Sequence, residues 1–183
     1  AATHLYLGVD IGSTSTKAVL MAPDGEPRSA FYTRTAGAPV RAVQVIFEAI
    51  DATGAAFAPI AGAACTGSGR KLIGGVIGAD LVLDEISAHA RAATELNGEI
   101  DTIIEIGGQD AKFTTLRNGR VTFSQMNAVC AAGTGSFLEE QADRLGVSLS
   151  DYADRALGIP APLASDRCTV FMERDLNNYV NKG

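Results

Sequence analysis

The chain opens with three short stretches in which apolar and polar residues alternate, a pattern typical of β-strands. These predicted strands cover residues 4–10, 16–22 and 28–35, with a polar loop after the first and the turn Pro23-Asp24-Gly25 after the second. From residue 40 the apolar positions fall three and four residues apart, which predicts an amphipathic helix ending near Gly54. The opening segment is therefore predicted to be three antiparallel strands followed by a helix.

The middle of the chain continues with one apolar run and two helical patterns. Residues 59–65 predict a short buried strand, which ends in the glycine-rich loop Thr66-Gly67-Ser68-Gly69. Residues 70–77 and 84–96 predict helices, of which the second is acidic at its start and is closed by Asn97-Gly98. This part is therefore predicted to be strand, helix, helix.

The pattern of strand, polar loop and strand then occurs a second time, over residues 102–126. An acid, a glycine and a lysine recur at a constant shift: the aligned pairs are Asp10 and Glu105, Gly12 and Gly107, and Lys17 and Lys112. Both copies also reach a turn after their second strand, Asp24-Gly25 in the first and Asn118-Gly119 in the second. This repetition predicts a duplicated fold with one polar loop in each copy.

Both polar loops have the composition of a phosphate-binding loop. Glycine lets backbone N–H groups approach a ligand closely, hydroxyls and a lysine can bind phosphate oxygens, and an acid can orient a metal-bound water. The Walker spacing is absent, but two such loops could hold both ends of a polyphosphate and its metal ion. Two simpler interpretations remain, a hairpin whose turn is rich in Ser and Thr and a duplicated scaffold without a ligand.

The last part of the chain is predicted to be mainly helical. One helical pattern places three apolar residues on the same face: Leu138, Ala142 and Leu145. Ser148 and Asp151 predict a capping box for a helix that reaches about residue 157. Residues 166–171 predict a short strand, and residues 173–182 predict a further helix.

The three cysteines, Cys65, Cys130 and Cys168, are far apart and odd in number, which argues against a disulfide framework and leaves metal or redox use open. Cys65 ends an apolar strand and is most simply a small buried residue. Cys130 precedes a predicted helix, whose N-terminus would stabilise a thiolate or an anionic cluster. From spacing alone, two ordinary thiols at Cys130 and Cys168 are the simpler interpretation. As cluster ligands they would require two copies of the chain to supply four thiolates.

Composition narrows the choice of partners. The 183 residues suffice for one large core or two small ones, and the net charge is −6 without a Lys/Arg-rich run. This charge distribution gives no footprint for nucleic acid or an anionic membrane. No apolar segment reaches the ~18 residues of a membrane-spanning helix and no signal segment opens the sequence, so we expect a cytoplasmic protein.

Four motifs together resemble one protein family. The motifs are Gly8-Val9-Asp10-Ile11-Gly12-Ser13-Thr14-Ser15-Thr16-Lys17, Ile106-Gly107-Gly108-Gln109-Asp110-Ala111-Lys112, Asn127 with Cys130-Ala131-Ala132-Gly133-Thr134-Gly135-Ser136-Phe137, and Cys168-Thr169-Val170-Phe171. Over nearly the whole chain the sequence resembles the ATP-dependent activators of 2-hydroxyacyl-CoA dehydratases, which are grouped with the ATPase subunits of benzoyl-CoA reductase. The loops are shared with sugar kinases, actin and heat-shock chaperone ATPases, whereas the cysteine motifs are specific to this family. The resemblance implies the α/β, actin-like ATPase (ribonuclease H-like) fold, with duplicated mixed-sheet subdomains flanked by helices.

The resemblance also implies a function and a set of site residues. It implies a homodimeric ATPase that uses ATP/ADP and Mg²⁺, and whose two subunits share a bridging [4Fe–4S] cluster held by Cys130 and Cys168. An electron from a ferredoxin- or flavodoxin-type donor would pass to an iron–sulfur dehydratase or reductase component. Phosphate binding falls to Gly12, Ser13, Thr14, Lys17, Gly107 and Gly108. Catalytic roles fall to Asp10, Glu105, Gln109 and Asp110, where Asp10 and Asp110 organise Mg²⁺ and its waters.

One departure from the family pattern concerns the second subdomain, which we expect to be incomplete. Family members continue with a glycine-rich segment that encloses adenine, and nothing like it follows Cys168 before the sequence stops at Gly183. We therefore expect a first subdomain over residues 1–98 and an incomplete second one over 99–183. A sugar or small-molecule kinase of the same fold and a non-catalytic ATP-binding regulatory module are the alternative functions, and the cysteine motifs argue against both.

Overall fold

The computed structural model describes residues 3–127, 134–166 and 168–182. Its first part alternates strands and helices as the sequence predicts. The elements are β1 (Leu5–Ile11), β2 (Ser15–Met21), β3 (Pro27–Arg34), α1 (Pro39–Thr53), β4 (Ile60–Thr66), α2 (Arg70–Ile77), β5 (Leu81–Val82) and α3 (Glu85–Leu96). Strand β5 was not predicted from the sequence, because two residues are too few to produce an alternating pattern.

The five strands form one mixed sheet in the order β3-β2-β1-β4-β5. Strand β1 pairs antiparallel with β2 and parallel with β4, so its carboxyl end lies beside that of β4. In this register Asp10 is opposite Lys17 on one side and Thr66 on the other. The central strand thus places an acid between a lysine and a threonine at one edge of the sheet.

One face of this sheet carries the core. Alternate strand residues point to the same side of a sheet, and here their apolar side chains pack against α1 and α2. The buried cluster consists of Val9, Ile11, Ala18, Val43, Ile46, Cys65 and Ile73. Helix α1 starts with Pro39 in its first turn and ends at Gly54, whose left-handed backbone (φ 62°) closes the helix as the sequence predicts.

The described residues of the second part form another sheet and three helices. The elements are β6 (Thr102–Ile106), β7 (Ala111–Arg117), β8 (Arg120–Met126), α4 (Gly135–Arg144), α5 (Leu149–Ala156) and α6 (Thr169–Lys182). The three strands are ordered β6-β7-β8, and the turn between β7 and β8 has positive φ at both Asn118 and Gly119 (52° and 71°). Those angles are typical of the Asn-Gly hairpin turn that the sequence contains.

One local prediction for this part is wrong. Residues 168–171 do not form a strand: α6 already begins at Thr169, and the carbonyl of Cys168 accepts a hydrogen bond from the N–H of Met172 at 2.9 Å. A run of three β-branched and aromatic residues, Thr169-Val170-Phe171, is too short to tell a strand from the first turn of a helix. The predicted cap of α5 is confirmed, because the Ser148 hydroxyl accepts a hydrogen bond from the N–H of Asp151 at 3.3 Å.

The chain divides into two compact units. The N-terminal unit comprises Ala1–Ile103 and Thr114–Ser124, and the C-terminal unit comprises Ile104–Phe113 and Gln125–Gly183. The polar loop after β1 (loop 1, residues 12–14) belongs to the N-terminal unit, and the loop after β6 (loop 2, residues 107–110) belongs to the C-terminal unit. Among the described residues, no helix has the length and apolar character needed to cross a membrane.

Candidate functional site

Loop 1 is a tight turn that joins β1 to β2. The N–H of Gly12 donates a hydrogen bond to the carbonyl of Ser15 at 2.9 Å and so closes the turn. A Cβ at position 12 would lie only 2.9 Å from that carbonyl oxygen, which explains why the position holds glycine. Ser13 is exposed at the tip of the turn, and Thr14 is partly exposed beside it. The turn therefore presents small and hydroxyl-bearing residues to solvent.

A buried threonine after β3 anchors loop 1. The hydroxyl of Thr35 donates a hydrogen bond to the carbonyl of Gly12 at 2.7 Å and lies 2.9 Å from the hydroxyl of Thr16. The N–H of Thr35 also donates to the carbonyl of Thr14 at 2.9 Å. Thr35 is 5% exposed and Thr16 is fully buried, so these bonds are shielded from competing water. The hydrogen bonds of Thr35 therefore hold the backbone of loop 1 in place.

A second glycine-rich loop, residues 66–69 after β4, packs against loop 1. The N–H of Gly69 and the hydroxyl of Ser68 both donate to the carbonyl of Ile11, at 3.0 and 3.3 Å. The Ser68 hydroxyl is also 3.3 Å from that of Ser13. Gly67 has a positive φ of 88°, and a Cβ there would lie 2.5 Å from Oδ1 of Asp10. Glycine at this position therefore makes room for the Asp10 carboxylate.

The glycine-rich loop at residues 66–69 is part of the candidate site, although it is not among the residues predicted from the sequence. The segment Thr66-Gly67-Ser68-Gly69 is rich in the residues that approach phosphates closely, and that composition was the available signal. The Oγ1 atom of Thr66 is buried and has no hydrogen-bond partner among the described residues. It lines, together with Asp10 and Lys17, an open cavity of about 480 Å³ on the sheet face opposite the core. An unpaired buried hydroxyl beside this acid is suited to bind a ligand or a water.

Asp10 and Lys17 form an ion pair across β1 and β2. The Nζ of Lys17 is 3.2 Å from Oδ2 of Asp10, and the two side chains are 43% and 34% exposed. Because both groups remain in contact with solvent, this pair contributes little to stability. The charged atoms of this pair are accessible to a ligand that binds beside loop 1.

Loop 2 repeats the geometry of loop 1. The N–H of Gly107 donates to the carbonyl of Asp110 at 2.8 Å, and a Cβ at position 107 would lie 2.9 Å from Oδ1 of Asp110. The residue after β8 anchors this turn, as Thr35 anchors the first: Oδ1 of Asn127 accepts from the N–H of Ala111 at 3.0 Å. Each loop is thus a glycine turn held by the polar residue that follows a strand, Thr35 after β3 and Asn127 after β8.

The start of α4 holds loop 2, as the residues that lead into α2 hold the start of loop 1. The N–H groups of Gly135 and Ser136 donate to the carbonyls of Gly107 and Gly108 at 2.8 and 3.0 Å. The hydroxyls of Thr134 and Ser136 also donate to the carbonyl of Gly108. These bonds satisfy N–H groups that a helix start leaves unpaired, and they fix the backbone of Gly107 and Gly108. Gln109 is exposed at the tip of the loop.

The lysine of loop 2 lies between two carboxylates. The Nζ of Lys112 is 2.9 Å from Oδ1 of Asp110 and 3.3 Å from Oε2 of Glu105. Burial lowers the pKa of Lys112, but hydrogen bonds and charges from Asp110 and Glu105 outweigh it and raise that pKa above its usual value. The lysine is therefore a cation across the physiological pH range.

The cysteines differ in their surroundings. Cys65 is buried in the N-terminal core, as the sequence predicts, and burial together with the nearby Asp10 charge raises the pKa of its thiol. Cys168 is a partly buried free thiol immediately before α6. Cys130, the other predicted cluster ligand, lies outside the described residues. Within the described part of the chain, no group of three or more His, Cys, Asp or Glu side chains is arranged to hold a metal ion.

Comparisons with known proteins show the family of this chain. The model of the BadF/BadG/BcrA/BcrD ATPase family matches residues 7–183. The chain is 36% identical over 182 residues to the (R)-2-hydroxyglutaryl-CoA dehydratase activating ATPase of Acidaminococcus fermentans, a match that covers 97% of this chain and 68% of the relative. It is 38% identical over 184 residues to the activator of lactoyl-CoA dehydratase of Anaerotignum propionicum, with 97% and 68% covered.

A solved structure shows the same architecture. The activator of the 2-hydroxyisocaproyl-CoA dehydratase from Clostridium difficile with bound ADPNP superimposes with a TM-score of 0.82 at 32% identity, covering 97% of this chain and 66% of that one. The predicted actin-like ATPase fold is confirmed. The chain spans about two thirds of the length of these relatives.

Proposed function

The chain belongs to the BadF/BadG/BcrA/BcrD ATPase family, and we propose that the whole protein is an ATP-hydrolysing iron–sulfur activator that donates a low-potential electron to a partner acyl-CoA dehydratase or reductase. The observation that carries the proposal is the repetition of one site geometry. In both units a glycine N–H closes a turn onto the residue three positions later, and a carboxylate–lysine pair lies beside that turn. The resemblance in sequence, noted above on the motifs, supports the same proposal.

Each loop would contribute groups that bind nucleotide phosphates, loop 1 in the subdomain proposed for residues 1–98 and loop 2 in the one proposed for residues 99–183. In loop 1 the ligand groups are the backbone N–H groups and hydroxyls of Ser13 and Thr14, with the accessible ammonium of Lys17 as the cation, and Gly12 contributes by carrying no side chain at the turn. In loop 2 they are the backbone of Gly107 and Gly108 with the side chain of Gln109. Backbone N–H groups in such turns favour anions, which is the physical basis for phosphate binding here.

The carboxylates fit Mg²⁺. This ion prefers oxygen ligands and is usually bound through one or two carboxylates, waters and the phosphates of the substrate. Asp10 and Asp110 are partly exposed beside their turns, so each can reach a metal-bound water. Glu105 lies behind Asp110 and shares its lysine partner. We assign Asp10 and Asp110 to the metal and its waters, Glu105 to their support, and Gln109 to the terminal phosphate.

Cys130 and Cys168 are the proposed ligands of a [4Fe–4S] cluster, which supplies the low-potential electron when bound. The thiol of Cys168 fits this role because it is free, partly accessible and placed before the N-terminus of α6, where helix N–H groups stabilise a thiolate. Two thiolates from one chain are half of the usual four, so the cluster would be shared by two subunits of a homodimer. A ferredoxin- or flavodoxin-type protein would reduce it in the cytoplasm.

Anaerobic reconstitution with iron and sulfide tests this assignment. The full-length protein is expected to gain the absorption and electron paramagnetic resonance (EPR) signals of a [4Fe–4S] cluster, and Cys130→Ala and Cys168→Ala are expected to abolish them. Cys65→Ala is the matched control. Cys65 is buried in the N-terminal core, so this substitution should leave the signals unchanged. Full cluster content in both Cys130→Ala and Cys168→Ala would contradict the proposal.

A further inference from the structure

Lys112 is a buried cation in the C-terminal unit. Its side chain is only 5% exposed, and it lies on the buried face of β7. Lysine is almost never fully buried unless it is paired. Here the two carboxylates of Glu105 and Asp110 pair with one ammonium, so the cluster keeps a net negative charge. A ligand arriving from solvent would meet the carboxylates before the ammonium.

The aligned lysine of the N-terminal unit is placed differently. Lys17 pairs with the single carboxylate of Asp10, and its side chain is 43% exposed against 5% for Lys112. Lys17 can therefore reach a phosphate without leaving its strand position. Lys112 could do so only by abandoning both carboxylates and the buried face of β7.

Gly107 lets the two carboxylates of loop 2 approach the same point. A Cβ at this position would lie 2.9 Å from Oδ1 of Asp110 and 3.6 Å from Oε1 of Glu105. Without a cation between them, these two negative groups would repel each other at short range. Lys112 binds one oxygen of each carboxylate and thereby sets the direction in which the Asp110 side chain points.

We propose that Lys112 is a positioning residue that orients Asp110, with Glu105, for Mg²⁺ and its waters, and that it does not contact nucleotide phosphate. The inference rests on the proposed function and assigns different tasks to the two aligned lysines. Groups that orient a metal-binding side chain commonly change metal affinity by about 10–100-fold when they are removed. Lys17, in contrast, should act directly on the affinity for the nucleotide.

The test compares Lys112→Met and Lys17→Met in the full-length protein with ADP as the probe. ADP affinity is measured by calorimetry with EDTA present, and Mn²⁺ affinity in the presence of ADP is measured from the EPR signal of free Mn²⁺. For Lys112→Met we expect Mn²⁺ affinity to fall by about tenfold or more, with metal-free ADP affinity within about twofold of the wild type. For Lys17→Met the metal-free ADP affinity should fall.

A double variant, Lys112→Met with Glu105→Gln, restores the net charge of the cluster without the cation that orients Asp110. We expect it to recover thermal stability but not Mn²⁺ affinity. The inference is overturned if Lys112→Met weakens metal-free ADP binding as Lys17→Met does, if it leaves Mn²⁺ affinity unchanged, or if the double variant recovers Mn²⁺ affinity. A wild-type protein that binds no ADP would instead contradict the proposed function, so the two failures are distinguishable.

Discussion

Loop 1 and loop 2 share a sequence pattern but differ in what surrounds them. Both are closed by a glycine N–H, at 2.9 Å in loop 1 and 2.8 Å in loop 2, and both carry an acid and a lysine on the flanking strands. Loop 1 is supported by a buried threonine and by the glycine-rich loop at 66–69. Loop 2 is supported by the first residues of α4 and by a buried lysine.

The difference shows that a repeated residue type does not ensure repeated surroundings. Lys17 and Lys112 align, yet one is accessible with one carboxylate partner and the other is buried with two. The change follows from the additional acid Asp110 in loop 2, since the aligned residue of the first copy is Ser15, the first residue of β2. An additional carboxylate stabilises a buried ammonium, and the buried ammonium in turn fixes the carboxylate.

The largest expected effect concerns the support under loop 1. Gly67→Ala places a Cβ against Asp10 and the carbonyl of Ile11 at a position with φ 88°, so we expect a loss of about 3 kcal/mol in the free energy of unfolding. Gly135→Ala, in the support under loop 2, meets only a contact of 3.1 Å with the carbonyl of Gly107 and should lose about 1 kcal/mol or less. Urea unfolding measures both.

Gly75→Ala is the control for these two variants. Position 75 lies inside α2, and a Cβ there has no atom within 4 Å, so alanine should stabilise the protein by about 0.5–1 kcal/mol. Equal losses in the free energy of unfolding for Gly67→Ala and Gly135→Ala would contradict the expected difference between the residues that support loop 1 and those that support loop 2.

The next effect separates the two lysines by stability. Lys112→Met leaves Glu105 and Asp110 without their shared cation, and we expect a loss of about 2 kcal/mol, below the value for a fully buried pair because Asp110 is 40% exposed. Lys17→Met removes an exposed pair and should change stability by less than about 0.5 kcal/mol. Chemical unfolding of both variants measures the two losses. A larger loss for Lys17→Met than for Lys112→Met would contradict the argument from the deeper burial of Lys112.

The residues that anchor the two turns should also differ. Thr35→Val keeps the side-chain shape but leaves the buried Thr16 hydroxyl and the Gly12 carbonyl without their partner, which should cost about 1–2 kcal/mol. Asn127→Ala removes a hydrogen bond at an exposed residue and should cost about 0.5 kcal/mol. Thermal unfolding of the two variants measures both losses. Equal losses of stability would show that the two anchors are equivalent and would contradict the expected difference.

The smallest expected effect is a pH dependence in the N-terminal unit. Burial raises the pKa of the Cys65 thiol, so above about pH 9 the unfolded chain loses this proton while the folded chain keeps it. Stability should therefore fall as pH rises from about 8 to about 10. Cys65→Ala should show a shallower fall than the wild type. Identical slopes in urea unfolding would show that this thiol does not contribute.

Much of the fold and the position of both loops could be predicted from the sequence. Strand alternation, the Asn118-Gly119 turn and the repeat of acid, glycine and lysine are local patterns, and local patterns are visible without a structure. The α6 start was misjudged because the residues after Cys168 have strand propensity over too short a run.

What the sequence could not predict depends on contacts between distant residues. The support of loop 1 by Ser68 joins residues 57 positions apart, and the anchor formed by Thr35 reaches back 23 positions. The burial of Lys112 likewise depends on how β7 packs, which the aligned lysine of loop 1 does not reveal. Residue type therefore predicted the loops, and tertiary contacts decided the burial and the hydrogen-bond partners of each side chain.

We propose that ATP bound at these loops drives an electron out of a cluster shared by two subunits. In the most direct measurement, the reduced full-length protein is mixed anaerobically with an iron–sulfur acceptor protein. The loss of the EPR signal of the reduced full-length protein is followed with MgATP, with MgADP and without nucleotide. The account predicts rapid electron transfer with MgATP and slow transfer in the other two mixtures. Equal rates in all three, or phosphorylation of a polyol by protein without iron, would contradict it.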